Sequence, residues 1–287
     1  MLKNGGMMNK NILKTALIPC ITLLLCSYLC DAEVQGKKEK TISVNGVNIV
    51  MVYIQAGEYL MGSPETETLR QTDEGPQHRV VINKGFWIGK HEVTQGQWKA
   101  VMGQNEAWFE EEDDYPIEWI SWDRAKDFIK RLNEKTDLRF RLPTEAEWEY
   151  ACRAGTATPF CFGESIGSNQ ANFNGDFPYG DAQKGVYRGG TCPVDSFQPN
   201  AWGLYDMHGN VWEWCEDVYK ADIYDHPELY TMNDIGNPLY QGEGSHRVFR
   251  GGGWLGSGNA LRSASRSHEL AHYSLIYIGF RLILDDR

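Results

Sequence analysis

Thiols and imidazoles are the side chains in this sequence best able to attack a substrate or hold a soft metal. The chain carries 7 cysteines and 7 histidines. Cys20, Cys26 and Cys30 lie at the start, whereas Cys152, Cys161, Cys192 and Cys215 belong to the body of the chain. A reactive thiol needs a partly exposed, electropositive setting. Cys152 follows Tyr150 and Ala151 in a helical pattern and Cys215 follows Trp214, so both read as small buried hydrophobes. These four cysteines are too few for a disulfide scaffold in so long a chain, and sequence leaves their pairing open. The histidines, at 78, 91, 208, 226, 246, 268 and 272, show no H-x-x-x-E-x-H spacing, and no iron site is expected.

The first 30 residues read as an export signal: Lys3, Lys10 and Lys14 precede an apolar run from Thr15 to Leu29, with no acid present. That run is short for a membrane span, which needs about 20 apolar residues. Cys30 ends it just before Asp31-Ala32-Glu33, a position similar to the lipidation site of a bacterial lipoprotein in its laxer, spirochaetal form. Cys26 is the second choice and cleavage near Ala32 the third. Residues 31–40 are polar and read as a tether. Without the signal, 25 basic residues face 39 acidic ones, a net charge of −14. Such a surface repels phosphate backbones, which excludes nucleic acid as a partner, and it would not hold to an anionic bilayer without a lipid. Hydrophobic residues make up 41% of the chain, with 10 Trp, 14 Tyr and 11 Phe, enough to bury a sizeable core.

Residues 41–44 and 47–54 flank Asn45-Gly46, which predicts an opening β-hairpin. Thr94 and Gln97 form a capping box that starts a helix over about 94–102, with Gly103 as its stop. Ser121 caps a second helix, whose Ala125, Phe128, Ile129 and Leu132 fall on one face. Thr144 and Glu147 start a third, running to about Arg153 and ended by Gly155. Beyond it the chain is loop-rich, with Gly, Asn, Asp and Pro every few residues, until strands are predicted over 247–254 and 276–284. No repeat or change of composition divides residues 41–287, which read as one domain.

Several strings occur in a fixed order: Gly57-Glu58-Tyr59-Leu60-Met61-Gly62-Ser63, His91-Glu92-Val93-Thr94, Arg141-Leu142-Pro143-Thr144-Glu145-Ala146-Glu147-Trp148-Glu149-Tyr150-Ala151, Gly203-Leu204-Tyr205-Asp206-Met207-His208-Gly209-Asn210-Val211-Trp212-Glu213-Trp214, Arg250-Gly251-Gly252 and Gly279-Phe280-Arg281-Leu282. Together they resemble the formylglycine-generating enzyme family. The resemblance implies an irregular, loop-rich α+β fold of C-type lectin-like form. It also implies two copper-binding cysteines shortly after Arg-Gly-Gly, where this chain has Gly256 and Leu261. Neither can ligate copper, so no cofactor is required and no formylglycine chemistry is expected. Structural calcium carries over from the family to the side chains of Asp206 and Glu213 with the carbonyls of Gly209 and Val211, and Asn172 and Phe173 resemble part of a second site.

Around the expected catalytic place, Trp254, Arg262, Ser263, Ala264, Arg266 and Ile278 alternate with residues of arbitrary chemistry. These are Leu255, Gly256, Ser257, Asn259, Ala260, Ser265, Ser267, His268, His272, Tyr273, Leu275, Ile276 and Tyr277. The pattern is similar to that of lectin-fold display proteins diversified by retroelements, in which adenines of Asn codons are mutated. Ser, His, Tyr, Ile, Leu, Gly and Ala are all reachable from AAC by that route. The expectation is a surface-displayed lipoprotein, anchored to the bacterial membrane by Cys30, whose segment of about 254–278 binds a protein or glycan ligand. An enzyme of altered chemistry and an undiversified structural paralogue are the alternatives.

Overall fold

The computed structural model describes residues 38–285; the export signal, Cys30 and most of the tether lie outside them. Asn45 and Gly46 take φ of 49° and 84°, the left-handed turn that an Asn-Gly hairpin requires. They join β1 (Glu39–Val44) to β2 (Val47–Ile54), with Val44 opposite Val47. The first strand therefore begins two residues earlier than expected, inside what reads as tether. There follow β3 (Gly57–Met61), β4 (His78–Ile82) and β5 (Phe86–Gly89).

The three helices start where their caps predict. Thr94 and Gln97 close a capping box on α1 (Gln95–Met102), which stops at Gly103 with φ 94°. Ser121 accepts the Arg124 amide at the head of α2 (Trp122–Thr136), which buries Ala125, Phe128, Ile129 and Leu132. After the short β6 (Phe140–Arg141), Thr144 and Glu147 box the start of α3 (Glu145–Arg153). Its stop falls on Ala154 at φ 46°, one residue before the expected Gly155. All residues of α3 are buried; its three glutamates survive there because each meets an arginine.

Beyond α3 come β7 (Trp212–Val218), β8 (Thr231–Met232), β9 (Pro238–Leu239) and β10 (His246–Arg250). The last is shorter than the predicted 247–254 because Gly251 and Gly252 turn the chain at φ 102° and 76°. Next is β11 (Arg266–Leu270), a strand the sequence did not predict because Arg-Ser-His-Glu-Leu lacks apolar alternation. The predicted strand over 276–284 is two short pieces, β12 (Ile278–Gly279) and β13 (Ile283–Leu284).

These strands form a five-stranded sheet in the order β1-β2-β5-β13-β6 and a four-stranded sheet in the order β11-β10-β7-β12. The closing strand β13 pairs antiparallel with both β5 and β6. One hydrophobic cluster joins α1 and α2 to Trp214, Phe249 and Phe280. A second centres on Trp148 and Cys152 of α3. A third, under the long loops, gathers Phe160, Phe173, Tyr179 and Leu261.

Candidate ligand-binding site

The segment after Arg250 is held by buried arginines, each fixed by carboxylates from distant parts of the chain. Arg262 donates to both Glu74 oxygens, at 2.6 and 2.7 Å, and to Glu67 at 2.6 Å. Arg266 reaches the two oxygens of Glu145 at 2.6 and 3.0 Å. Arg250 bonds Glu149 and the carbonyls of Ser263 and Ala264. Burial alone would raise the Glu145 carboxyl, but Arg266 and Arg250 beside it hold it below its usual range. A buried ion stays charged only with such partners. Sequence reading found Arg262 and Arg266 but missed Glu67, Glu74, Glu145 and Glu149, whose contacts span 101 to 195 residues.

On this frame the expected contact residues fall in two places. Leu255, Gly256, Ser257, Asn259 and Ala260 form a turn packed on the 174–179 loop, where Gly256 accepts the Asn174 amide and Gly258 donates to Phe177. The indole of Trp254 donates to the carbonyl of Ile276 at 3.1 Å, which brings Leu275, Ile276 and Tyr277 alongside that turn. Ser267 and His268 instead lie on edge strand β11, opposite Phe249 and Val248. There His268 stacks on Tyr219 with ring centroids 3.7 Å apart, and His272 stacks on Tyr273. Leu255, His268, His272 and Tyr273 are exposed, and most of the others are half-buried. Ser265 differs: it is buried, with its amide bonded to the Arg262 carbonyl, so its side chain does not face a ligand.

The two positions expected to hold copper-binding thiols are occupied otherwise. Leu261 is fully buried in the third cluster, and Gly256 is a turn residue bonded to Gly253. Burial pushes the Cys152 thiol up to about 12 and raises those of Cys161, Cys192 and Cys215, which opposes thiolate formation. Cys152 lies against His208, whose ring donates from Nδ1 to the Leu261 carbonyl at 2.7 Å and accepts the Cys161 amide at Nε2, 3.1 Å away. Both ring nitrogens are thus committed to a neutral imidazole, and burial lowers its pKa to about 4.

Of the expected calcium ligands, the two carboxylates already carry protein partners. Both Glu213 oxygens take Arg281 at 2.6 Å, and one also takes the Trp148 indole at 2.7 Å; Glu213 is an arginine counter-ion. Asp206 accepts the Asp195 amide at 3.1 Å, and burial pushes its carboxyl up to about 7. The Val211 amide is held by Glu92, itself pushed well above the usual carboxylate range by burial and Asp206. Asn172 is another matter. Its amide nitrogen bonds Gly190 and Asn210, while its Oδ1 is buried without a partner among the described residues. An orphaned hard oxygen is what a calcium ion would satisfy.

The matching strings, the three caps and the arginine frame define a member of one enzyme-related family. Residues 38–286 match the Sulfatase-modifying factor enzyme 1-like domain, and the chain belongs to that family. It is 31% identical to the serine/threonine-protein kinase pkn1 of Chlamydia caviae over 85% of this chain, but spans only 39% of that protein's length. It is 29% identical to the formylglycine-generating enzyme of Bos taurus, covering 82% of this chain and 74% of the enzyme. Among solved structures it is similar to Treponema denticola variable protein 1, with a TM-score of 0.70, 27% identity, and coverage of 86% of this chain and 99% of that one. The irregular, loop-rich C-type lectin-like α+β fold expected from the sequence is the fold observed. The family therefore spans an enzyme and a variable protein.

Proposed function

We propose that this chain is a non-catalytic ligand-binding lipoprotein that presents the segment of about 254–278 to a protein or glycan ligand, exported and anchored through Cys30. The observation that carries this reading is Leu261. At a position where the resemblance implies a copper-binding cysteine, its side chain is fully buried among Phe160, Phe173 and Tyr179. Restoring a metal ligand there would open the core. Around it the arginine frame is buried and ion-paired, while Leu255, His272 and Tyr273 are exposed, the division of labour a display surface needs. Structural calcium, where bound, is held at Asn172 rather than at Glu213.

The deciding experiment incubates the purified domain with a cysteine-containing sulfatase peptide, with and without copper. No formylglycine is expected, and turnover in either arm would overturn the reading. Diversification has its own check: a near-copy of the 3′ coding region beside a reverse-transcriptase gene, with adenines at the codons of the outward residues. Metabolic lipid labelling should be lost in Cys30→Ala.

A further inference from the structure

We propose that the face built by Trp108 and Trp119 docks an arginine- or lysine-bearing segment of the protein ligand; this deepens the binding reading above and rests on it. The two indoles are 58% and 43% exposed and meet edge to face, centroids 5.3 Å apart. Large rings so exposed on a folded domain mark contact surfaces. Nor is their loop slack. Glu118, fully buried, accepts the Phe109 amide at 2.7 Å, and its Oε2 has no partner among the described residues. Gln95 donates to the Phe109 carbonyl at 2.8 Å and accepts from Asn105 and from the Glu111 amide. Trp119 itself sits at φ 61°, a strained backbone region for a bulky residue, of the kind that clusters at functional surfaces.

Charge identifies the occupant. Glu110, Glu111, Glu112 and Asp114 follow the first indole, are exposed, and enter no ion pair recorded among the described residues, while Asp113 pairs with Lys99. Ring faces followed in the same loop by exposed carboxylates suit a guanidinium or ammonium group, which gains from both. A second copy of the exported chain would bring the same acids and a net charge of −14, and an anionic lipid or nucleic acid would be repelled. The face also adjoins the display segment, because the Phe109 ring packs edge-on against Trp254 at 5.6 Å. One ligand can therefore span both.

The probe is a fluorescein-labelled decapeptide of alternating Arg and Gly, titrated with the folded domain and read by anisotropy. Its affinity should fall by about tenfold in Trp108→Ala/Trp119→Ala and by a similar factor in Glu110→Gln/Glu111→Gln/Glu112→Gln. Glu65→Gln/Glu134→Gln/Glu243→Gln, which removes as many exposed acids elsewhere, should change it little. Equal losses in the two glutamine triples, or no loss in the tryptophan variant at unchanged Tm, would overturn the docking site. A loss in Tyr273→Ser as large as that of the tryptophan variant would place the peptide on the display segment and sink this proposal alone. Formylglycine production by the unaltered chain would sink the binding reading instead.

Discussion

Trp254 donates its indole N–H to the carbonyl of Ile276, 3.1 Å away, and so ties together the two ends of the segment that carries the outward residues. The ring is 5% exposed, with Phe109 edge-on to it and Tyr187 stacked beside it. Replacing it removes packing and leaves a partly buried carbonyl without its donor.

Trp254→Ser should therefore destabilise the domain by about 3–5 kcal/mol. Trp254→Phe, which keeps most of the ring, should cost about half that, from the lost hydrogen bond and a smaller void. Urea titration of both variants checks the order; equal midpoints for Trp254→Ser and the parent chain would remove Trp254 from the frame.

Two tyrosines of the segment, alike in sequence, separate in the structure. Tyr273 is 51% exposed, whereas Tyr277 packs on the first hydrophobic cluster and its carbonyl accepts the Trp212 amide. Tyr273→Ser should leave Tm within the scatter of surface substitutions, about 0.5 kcal/mol. Tyr277→Ser should lower stability by about 1–2 kcal/mol, since half a large side chain leaves the core. A thermal melt of each separates them, and equal melts would mean that both belong to the display surface.

What was legible in the sequence was local. Thr94, Ser121 and Thr144 announce their helices because a cap acts within three residues, and Asn45-Gly46 announces its hairpin for the same reason. The strand β11 was not, since its Arg-Ser-His-Glu-Leu gains its place from pairing with β10 and from the Arg266 to Glu145 contact. Likewise, Glu213 looks like a metal ligand in a glycine-rich loop until Arg281, 68 residues away, is seen on both its oxygens. The types of the outward residues were readable, but not that Ser265 turns inward or that His268 sits on an edge strand apart from Leu255.

Calcium can be tested through the orphaned oxygen. If the ion satisfies Asn172 Oδ1, millimolar calcium should raise Tm and a chelator should lower it. Asn172→Leu should abolish that response, while Glu213→Gln, although less stable through loss of the Arg281 pair, should retain it. Scanning calorimetry with and without chelator gives the answer, and a calcium response lost in Glu213→Gln but kept in Asn172→Leu would reverse the assignment.

His208 provides a pH dependence whose sign follows from its two hydrogen bonds. In the folded chain Nε2 accepts the Cys161 amide and cannot take a proton without losing it, and burial holds the pKa at about 4. In the unfolded chain the imidazole takes up its proton near the ordinary value of about 6.5. Between these values the unfolded state binds the extra proton, so the contribution of His208 to stability is complete above about pH 6.5 and declines as pH falls toward 4. The full loss is about 3 kcal/mol, at roughly 1.4 kcal/mol for each pH step between the two values. His91 is lowered to about 4 as well and acts in the same direction, whereas Asp206 and Glu118, raised to about 7, and Asp217, raised to about 8, oppose them over the same range. The wild-type profile therefore mixes all of these. The difference between wild type and His208→Gln isolates one, because glutamine can still donate to Leu261 and accept from Cys161 without titrating. That variant should be less stable than wild type at pH 7, where the stacking on Phe160 and Phe162 is reduced, and the gap should close as pH falls from 6.5 to 4. Urea midpoints taken across that range measure it, and a gap that stays constant would mean that His208 keeps the same proton in both states.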